Sequence, residues 1–137
     1  FLIIMAKFFF FSIFLLMSNY GFSQSDNDFL YATSDTKGGD YYVYIEKAEY
    51  GSKEIWIKKT EPLKTVKNKK GKYVKTGGGH TLQFVIIDCS NRKYDVKQRI
   101  TYDKSGDVVD NNDFPSYDNK VIPGSVMSGI FDFVCSE

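Results

Sequence analysis

Few side chains in this sequence could carry out chemistry, and the most suggestive is His80, the only histidine. It follows Gly77, Gly78 and Gly79, but no Lys-Ser/Thr pair completes a phosphate-binding loop at this point. A catalytic triad would also need an activated nucleophile, and the sequence has no GxSxG elbow. We therefore predict that His80 is a surface or strand-edge residue and that the chain is not an enzyme.

The two cysteines, Cys89 and Cys135, are the next candidates. A zinc site would lack ligands, because the chain has one histidine and no CxxC motif. A thiol nucleophile would need a base, and only His80 could serve. In an oxidising compartment an even pair in a small domain indicates a disulfide, and closing this loop is worth about 4 kcal/mol in the chain-entropy relation. We expect no metal and no other cofactor.

Aspartates recur late in the chain, at Asp103, Asp107, Asp110 and Asp113. Their spacing does not fit an EF-hand, because the third position is Ser105 and the glycine comes fourth. A solvated hairpin turn is the simpler interpretation, and a calcium loop of another kind is the alternative.

A cluster of lysines is the most prominent charged feature. The whole chain has 18 Lys and Arg against 17 Asp and Glu, so no overall field favours nucleic acid or a membrane surface. Locally, the cluster could bind sulfated glycans, anionic lipid head groups or acidic protein surfaces. The alternative is a solvated loop that keeps a sheet edge soluble. The cluster consists of Lys64, Lys67, Lys69, Lys70, Lys72 and Lys75.

The start of the chain predicts export. Met5 is the first methionine, Lys7 follows it, and an apolar run broken by one serine then leads to Gly21 and Ser23. A short positive region, an apolar stretch and a small-x-small exit are typical of a secretory signal peptide.

We predict a signal peptide over residues 1–23, with the true start at Met5, and a single domain over residues 24–137. An uncleaved membrane anchor is the alternative, but it would need about 20 apolar residues. The region has no cysteine for a lipoprotein anchor. We expect an exported protein in the periplasm, at the cell surface or in the medium, with no membrane span after cleavage.

The exported domain has the alternation that is typical of β structure. Residues 41–49 and 53–60 are expected to form a hairpin around a short turn. Residues 80–89 are apolar on both faces and predict a central strand that is covered, at least in part, on each side. In the following strand, Tyr94, Val96, Ile100 and Tyr102 are expected to share one face.

The remaining segments complete an α+β architecture. Residues 63–79 predict a long, basic, mobile connection. Ser125 is a good N-cap, and the apolar spacing after it predicts a helix over residues 125–135. We expect an antiparallel sheet of five or six strands with this C-terminal helix on one face. The many tyrosines are typical of a half-buried sheet surface, and an aromatic binding platform is the alternative.

Several motifs together resemble the surface-adhesin protein E family of bacterial exported domains. They are EIWIKK around Trp56, IIDCSNRKY around Cys89, SGDVV after Tyr102, VIPGS before Val126, and the final Cys135. The resemblance covers nearly all of the exported part.

The resemblance implies an antiparallel sheet with a C-terminal helix, a Cys89–Cys135 bond, and Trp56 and Arg92 as structural landmarks. It also implies a non-enzymatic domain, and adhesion to host matrix proteins is attributed to the member that named the family. Two functions follow as hypotheses. One is a binding module that contacts extracellular protein or anionic glycan through the lysines or the sheet-face aromatics. The other is an envelope-associated protein without a dedicated ligand.

Overall fold

The computed structural model describes residues 28–113 and 115–136, and the predicted signal peptide lies outside them. Within these residues the chain forms nine strands and one helix. The elements are β1 (Leu30–Ser34), β2 (Asp40–Glu49), β3 (Ser52–Thr60), β4 (Lys64–Lys67), β5 (Tyr73–Thr76), β6 (His80–Asp88), β7 (Lys93–Tyr102), β8 (Val108–Asn112), β9 (Ser116–Lys120) and α1 (Val126–Cys135).

Seven strands form one antiparallel sheet in the order β1-β2-β3-β6-β7-β8, with β9 also paired to β7. Strands β4 and β5 form a separate two-stranded sheet. The predicted class, an antiparallel sheet with one C-terminal helix, is confirmed. The main sheet has more strands than the five or six expected, because β9 comes from a polar segment without apolar alternation.

The helix covers one face of the main sheet. Ser125 caps it, because its Oγ accepts a hydrogen bond from the Ser128 N–H at 3.1 Å. The helix buries Ile130, Phe131 and Val134 against apolar side chains of the inner strands. These strand residues are Val43, Ile55, Ile57, Val85 and Ile87.

Three contacts hold the helix to the sheet besides this core. Cys89, just after β6, is bonded to Cys135 in the last helical turn, as predicted. Lys53 on β3 donates a hydrogen bond to the Val134 carbonyl at 2.6 Å, at the end where the helix dipole favours a cation. The Arg92 guanidinium lies 4.5 Å from the Phe131 ring centre.

A β-bulge changes which side chains of β7 share a face. Val96 pairs with Val85 and faces the helix, whereas Ile100 pairs with Leu82 and faces the other side. The prediction that Tyr94, Val96, Ile100 and Tyr102 share one face was therefore wrong. The pairing shifts between Phe84 and Val85, and the extra residue in β7 reverses the direction of every later side chain.

Candidate binding surface

The six clustered lysines lie on a hairpin that projects from the main sheet, and we call residues 64–76 the lysine hairpin. Its strands pair from Lys64 with Thr76 to Lys67 with Tyr73. Every residue of β4 and β5 is exposed. Residues 63–79 were predicted to be a long, basic, mobile connection; the strands within it were missed because Val66 and Val74 form their only apolar cross-strand pair.

The tip of the hairpin is held by one asparagine. The Asn68 side-chain oxygen accepts hydrogen bonds from the backbone N–H groups of Lys70 at 3.0 Å and Lys72 at 2.9 Å. Gly71 has φ +78° and supplies the left-handed position of this turn. The turn therefore places Lys69, Lys70 and Lys72 at the outer end of the hairpin.

The base of the hairpin is a close-packed joint. The Glu61 N–H donates to the Gly79 carbonyl, and the Gly78 N–H donates to the Glu61 carbonyl, both at 2.9 Å. A Cβ atom on Gly77 would lie 2.3 Å from the Pro62 carbonyl oxygen, and one on Gly79 would lie 2.2 Å from that of Tyr102. The glycines are needed because two chain segments pass too close for a side chain.

The lysine hairpin contains no acidic residue, although carboxylates line the two cavities at its base. No acidic residue occurs between Glu61 and Asp88. Among the described residues, none of the ion pairs involves one of its six lysines. Lys64 donates to the Lys37 carbonyl at 3.2 Å. The four lysines toward the tip line neither cavity, so their charge is available to an external anion.

The two faces of the hairpin differ. Residues that are paired or two apart share a face, so Lys67, Tyr73 and Lys75 lie on one side, and Lys64, Val66 and Val74 lie on the other. Tyr73 is 74% exposed, because no core lies beneath this hairpin. A cationic face with an exposed aromatic ring at its centre suits a ligand that has both charge and flat apolar surface.

The face of the main sheet opposite the helix carries an aromatic depression of about 270 Å³. Solvated faces of antiparallel sheets are normally polar, but this one is built largely of rings and aliphatic side chains. The residues that line it are Phe29, Tyr44, Trp56, Lys58, His80, Leu82, Ile100 and Tyr102.

Ring contacts fix the shape of this depression. Trp56 lies against Phe84 with ring centres 5.1 Å apart, and the Trp56 indole N–H donates to a Glu46 carboxylate oxygen at 2.8 Å. His80 stacks on Tyr102 with ring centres 4.5 Å apart and planes 10° apart. Such offset and stacked pairs hold the rings in defined orientations.

His80 is half-buried and begins β6, which has a neighbouring strand on each side. It was expected to be a surface or strand-edge residue, and it lies at the surface in the aromatic depression, on an interior strand of the sheet. The sequence contained a signal for this depression, since Leu82, Phe84 and Ile86 give β6 a second apolar face, opposite the face that is buried under the helix.

The aspartate cluster serves a turn. One Asp103 carboxylate oxygen accepts hydrogen bonds from the backbone N–H groups of Ser105 at 2.8 Å and Asp107 at 3.0 Å. This geometry is the solvated hairpin turn between β7 and β8. Within residues 28–113 and 115–136, no group of three or more His, Cys, Asp or Glu side chains is arranged to hold a metal ion.

Two aspartates have a pKa that their hydrogen bonds change. The Gly39 N–H, at 2.9 Å, lowers the pKa of Asp35 from its usual 3.8. The Asn91 side-chain amide, at 2.8 Å, lowers the pKa of Asp88, and the Asn91 backbone N–H adds to the effect. Both carboxylates stabilise turns of the main sheet and lie outside the lysine hairpin and the aromatic depression.

Comparison with known proteins gives one match. The profile of the surface-adhesin protein E family matches residues 30–136. No curated protein and no solved structure matches the chain significantly. Over the part that the structure describes, no helix has the length and apolar character needed to cross a bilayer.

Proposed function

The chain belongs to the surface-adhesin protein E family, and from this premise we propose that it is an exported binding module that holds a polyanionic ligand on its lysine hairpin. Family membership indicates a surface or exported protein with a non-enzymatic, adhesin-type role. The observation that carries the ligand class is the concentration of six lysines on an exposed hairpin that contains no acidic residue.

The charge density of the hairpin supports a polyanion. Six of the 18 Lys and Arg residues of a nearly neutral chain lie within residues 64–75. Each exposed ion pair in water contributes only about 0.2–1 kcal/mol, so one lysine would bind weakly. Six lysines on one hairpin can act together on a ligand that repeats its negative charge, and salt should weaken that binding.

The exposed apolar residues of the hairpin argue against a purely solubilising role. A hairpin that served only to keep a sheet edge soluble would be polar throughout. Val66 is 41% exposed, Val74 38% and Tyr73 74%. Val66 and Val74 are cross-strand partners and form one small exposed apolar patch, whereas Tyr73 lies between lysines on the other face. These residues favour a binding module over an envelope protein without a ligand.

The proposal is tested on immobilised heparin, which serves as the polyanion, with the exported protein at increasing salt. Replacing all six lysines by serine should abolish retention, because the charge is removed. The tip variant Lys69→Ser/Lys70→Ser should bind about fivefold more weakly, at roughly 0.5 kcal/mol for each lost contact. The matched control Lys47→Ser/Lys120→Ser removes two exposed lysines that lie outside the hairpin and outside both cavities at its base, and it should elute like the wild type.

Retention that survives the loss of all six lysines, in a variant with unchanged unfolding, would refute the lysine hairpin as the binding site. Equal losses in the tip variant and its matched control would point to the total charge and not to the hairpin. If the wild-type protein also fails to bind other acidic glycans and acidic proteins, the ligand-free envelope role becomes the better account.

The absence of catalysis is part of the same proposal. His80 stacks on Tyr102 inside a mostly apolar depression, which suits a structural or contact role. A panel of hydrolase substrates should give no turnover that depends on this residue. Turnover by the wild-type protein that disappears in His80→Ala would contradict it.

The compartment is also proposed and has its own test. We place the protein outside the cytoplasmic membrane after removal of residues 1–23. Protease treatment of intact cells should degrade it if it is held at the surface, whereas osmotic release should free it from the periplasm. Accumulation of the uncleaved chain in the cytoplasm would contradict export.

A further inference from the structure

One face of the lysine hairpin adjoins the side of the main sheet that carries the aromatic depression, and the other face adjoins the side that the helix covers. Lys64 and Thr76 line a cavity of about 350 Å³ together with Lys59. This cavity is on the side that the helix covers, because Lys59 shares its face of β3 with the core residues Ile55 and Ile57. Lys75, on the opposite face, lines another cavity of about 400 Å³, whose lining also includes the basic Lys104 and the acidic Glu61 and Asp103.

Tyr102 connects this second cavity with the aromatic depression. It lines the cavity together with Lys75, and it also lines the depression, where its ring stacks on His80. Lys67 and Tyr73 share the Lys75 face of the hairpin. A continuous surface therefore runs from the cationic hairpin face, past Tyr102, into the depression around Trp56.

We propose that the polyanion bound here is an acidic polysaccharide, with its charged groups on the lysine hairpin and a sugar ring in the aromatic depression. This inference rests on the proposed function and names the ligand class for the same site. A pyranose ring has a flat face of C–H groups that packs on aromatic rings, and its edge carries polar groups. The surface offers both elements, since rings line the depression and charge complementarity is supplied by Lys67 and Lys75.

An acidic polypeptide fits this surface less well. Its carboxylates would satisfy the lysines, but Asp and Glu side chains offer no flat apolar face to the depression that Trp56, Tyr44 and Tyr102 line. Inorganic polyphosphate matches the charge alone. Binding of these two polyanions can therefore be compared with saccharide binding to separate recognition of charge from recognition of a sugar ring.

The chain contains its own reporter, because Trp56 is the only tryptophan and lines the depression. The exported protein is titrated with a heparin oligosaccharide, with polyphosphate and with polyglutamate of similar charge, and the tryptophan emission is recorded. All three should bind in a salt-dependent manner. Only the saccharide should shift the Trp56 emission to shorter wavelength, because only the saccharide excludes water from the rings.

Two variants sharpen the titration. Tyr102→Ser removes one wall of the depression and should weaken saccharide binding about fivefold, the effect of one aromatic contact, while polyphosphate binding stays unchanged. Tyr50→Ser is the matched control, since Tyr50 is fully exposed and lies beyond the end of β2, outside both cavities and the depression. Thermal unfolding of each variant shows that it is folded before binding is compared.

The outcomes separate the two proposals. Binding of all three polyanions with no Trp56 response to any overturns the saccharide inference and leaves the hairpin proposal standing. An equal Trp56 response to polyglutamate indicates an acidic protein partner and also overturns the inference. If no polyanion binds, the proposed function fails first. A full Trp56 response in the variant without the six lysines would show that the depression binds alone, which contradicts the joint site.

Discussion

In the main sheet and its helix, the inner strands bury branched aliphatic side chains, whereas every strand residue of the lysine hairpin is exposed. The main sheet and its helix, the first region, are stabilised by a disulfide, by a helix cap and by the hydrogen bond from Lys53 to the last turn of the helix. The second has a single apolar cross-strand pair and six lysines. The buried core and the proposed cationic site therefore lie in different parts of the chain, so substitutions should separate their effects.

The largest expected effect comes from the disulfide. Replacing Cys89 and Cys135 by serine opens a loop with a sequence separation of 46 residues. The free energy of unfolding, measured in urea, should fall by about 4 kcal/mol, as the chain-entropy relation gives for this loop. Reduced wild-type protein should show the same loss. A change below about 1 kcal/mol would mean that the bond does not stabilise the first region as described.

A core truncation compares the two regions directly. Ile55 lies on β3 and its side chain is fully buried beneath the helix, so Ile55→Ala should lower the free energy of unfolding by about 3 kcal/mol. Val66→Ala, the matched truncation on the hairpin, should change it by no more than about 0.5 kcal/mol. Similar values for the two variants would remove the distinction between core and hairpin.

The joint between the regions predicts an intermediate effect. Gly77 and Gly106 both have positive φ, at +82° and +87°, but only Gly77 has backbone within reach of an added Cβ. Gly106→Ala should cost about 1 kcal/mol from the left-handed backbone alone. Gly77→Ala should cost about 1 kcal/mol more, from the forced shift of a neighbouring carbonyl, and it should also weaken heparin retention. Equal losses of stability and equal heparin retention in the two variants would show that the base of the hairpin is not closely packed.

The smallest effect concerns pH and the turns of the main sheet. The pKa of Asp35 and that of Asp88 lie below 3.8 in the folded protein, so both carboxylates stabilise it above that pH. This contribution is lost as the pH falls through the folded pKa values. A chemical-shift titration of the Asp88 carboxylate should therefore have a midpoint below 3.8. A midpoint at or above 3.8 would contradict the role given to the Asn91 hydrogen bonds.

Much of the first region could be predicted from the sequence. Alternating apolar residues located the β2–β3 hairpin and the central strand β6, and helical spacing after Ser125 located α1. The cysteine pair predicted the bond between them. These elements could be predicted because burial imposes a repeat of apolar residues on the sequence, with a period of 2 in strands and about 3.6 in the helix.

The lysine hairpin and the β-bulge could not be predicted in this way. Strands without a buried face need no apolar period, so β4 and β5 had the composition of a loop. The bulge in β7 adds one residue without a compositional mark, and it reversed the faces assigned to Ile100 and Tyr102. The lysines themselves were selected from the sequence, and their role in binding stays a prediction.

The most direct test of the account is a map of backbone amide chemical shifts as a heparin oligosaccharide is added to the exported protein. Binding at the lysine hairpin predicts that the amides of residues 64–75 shift first and most, while those of the helix Val126–Cys135 stay in place. Shifts centred on the helix or on β8 and β9, with the hairpin unchanged, would contradict the assignment of binding to this hairpin.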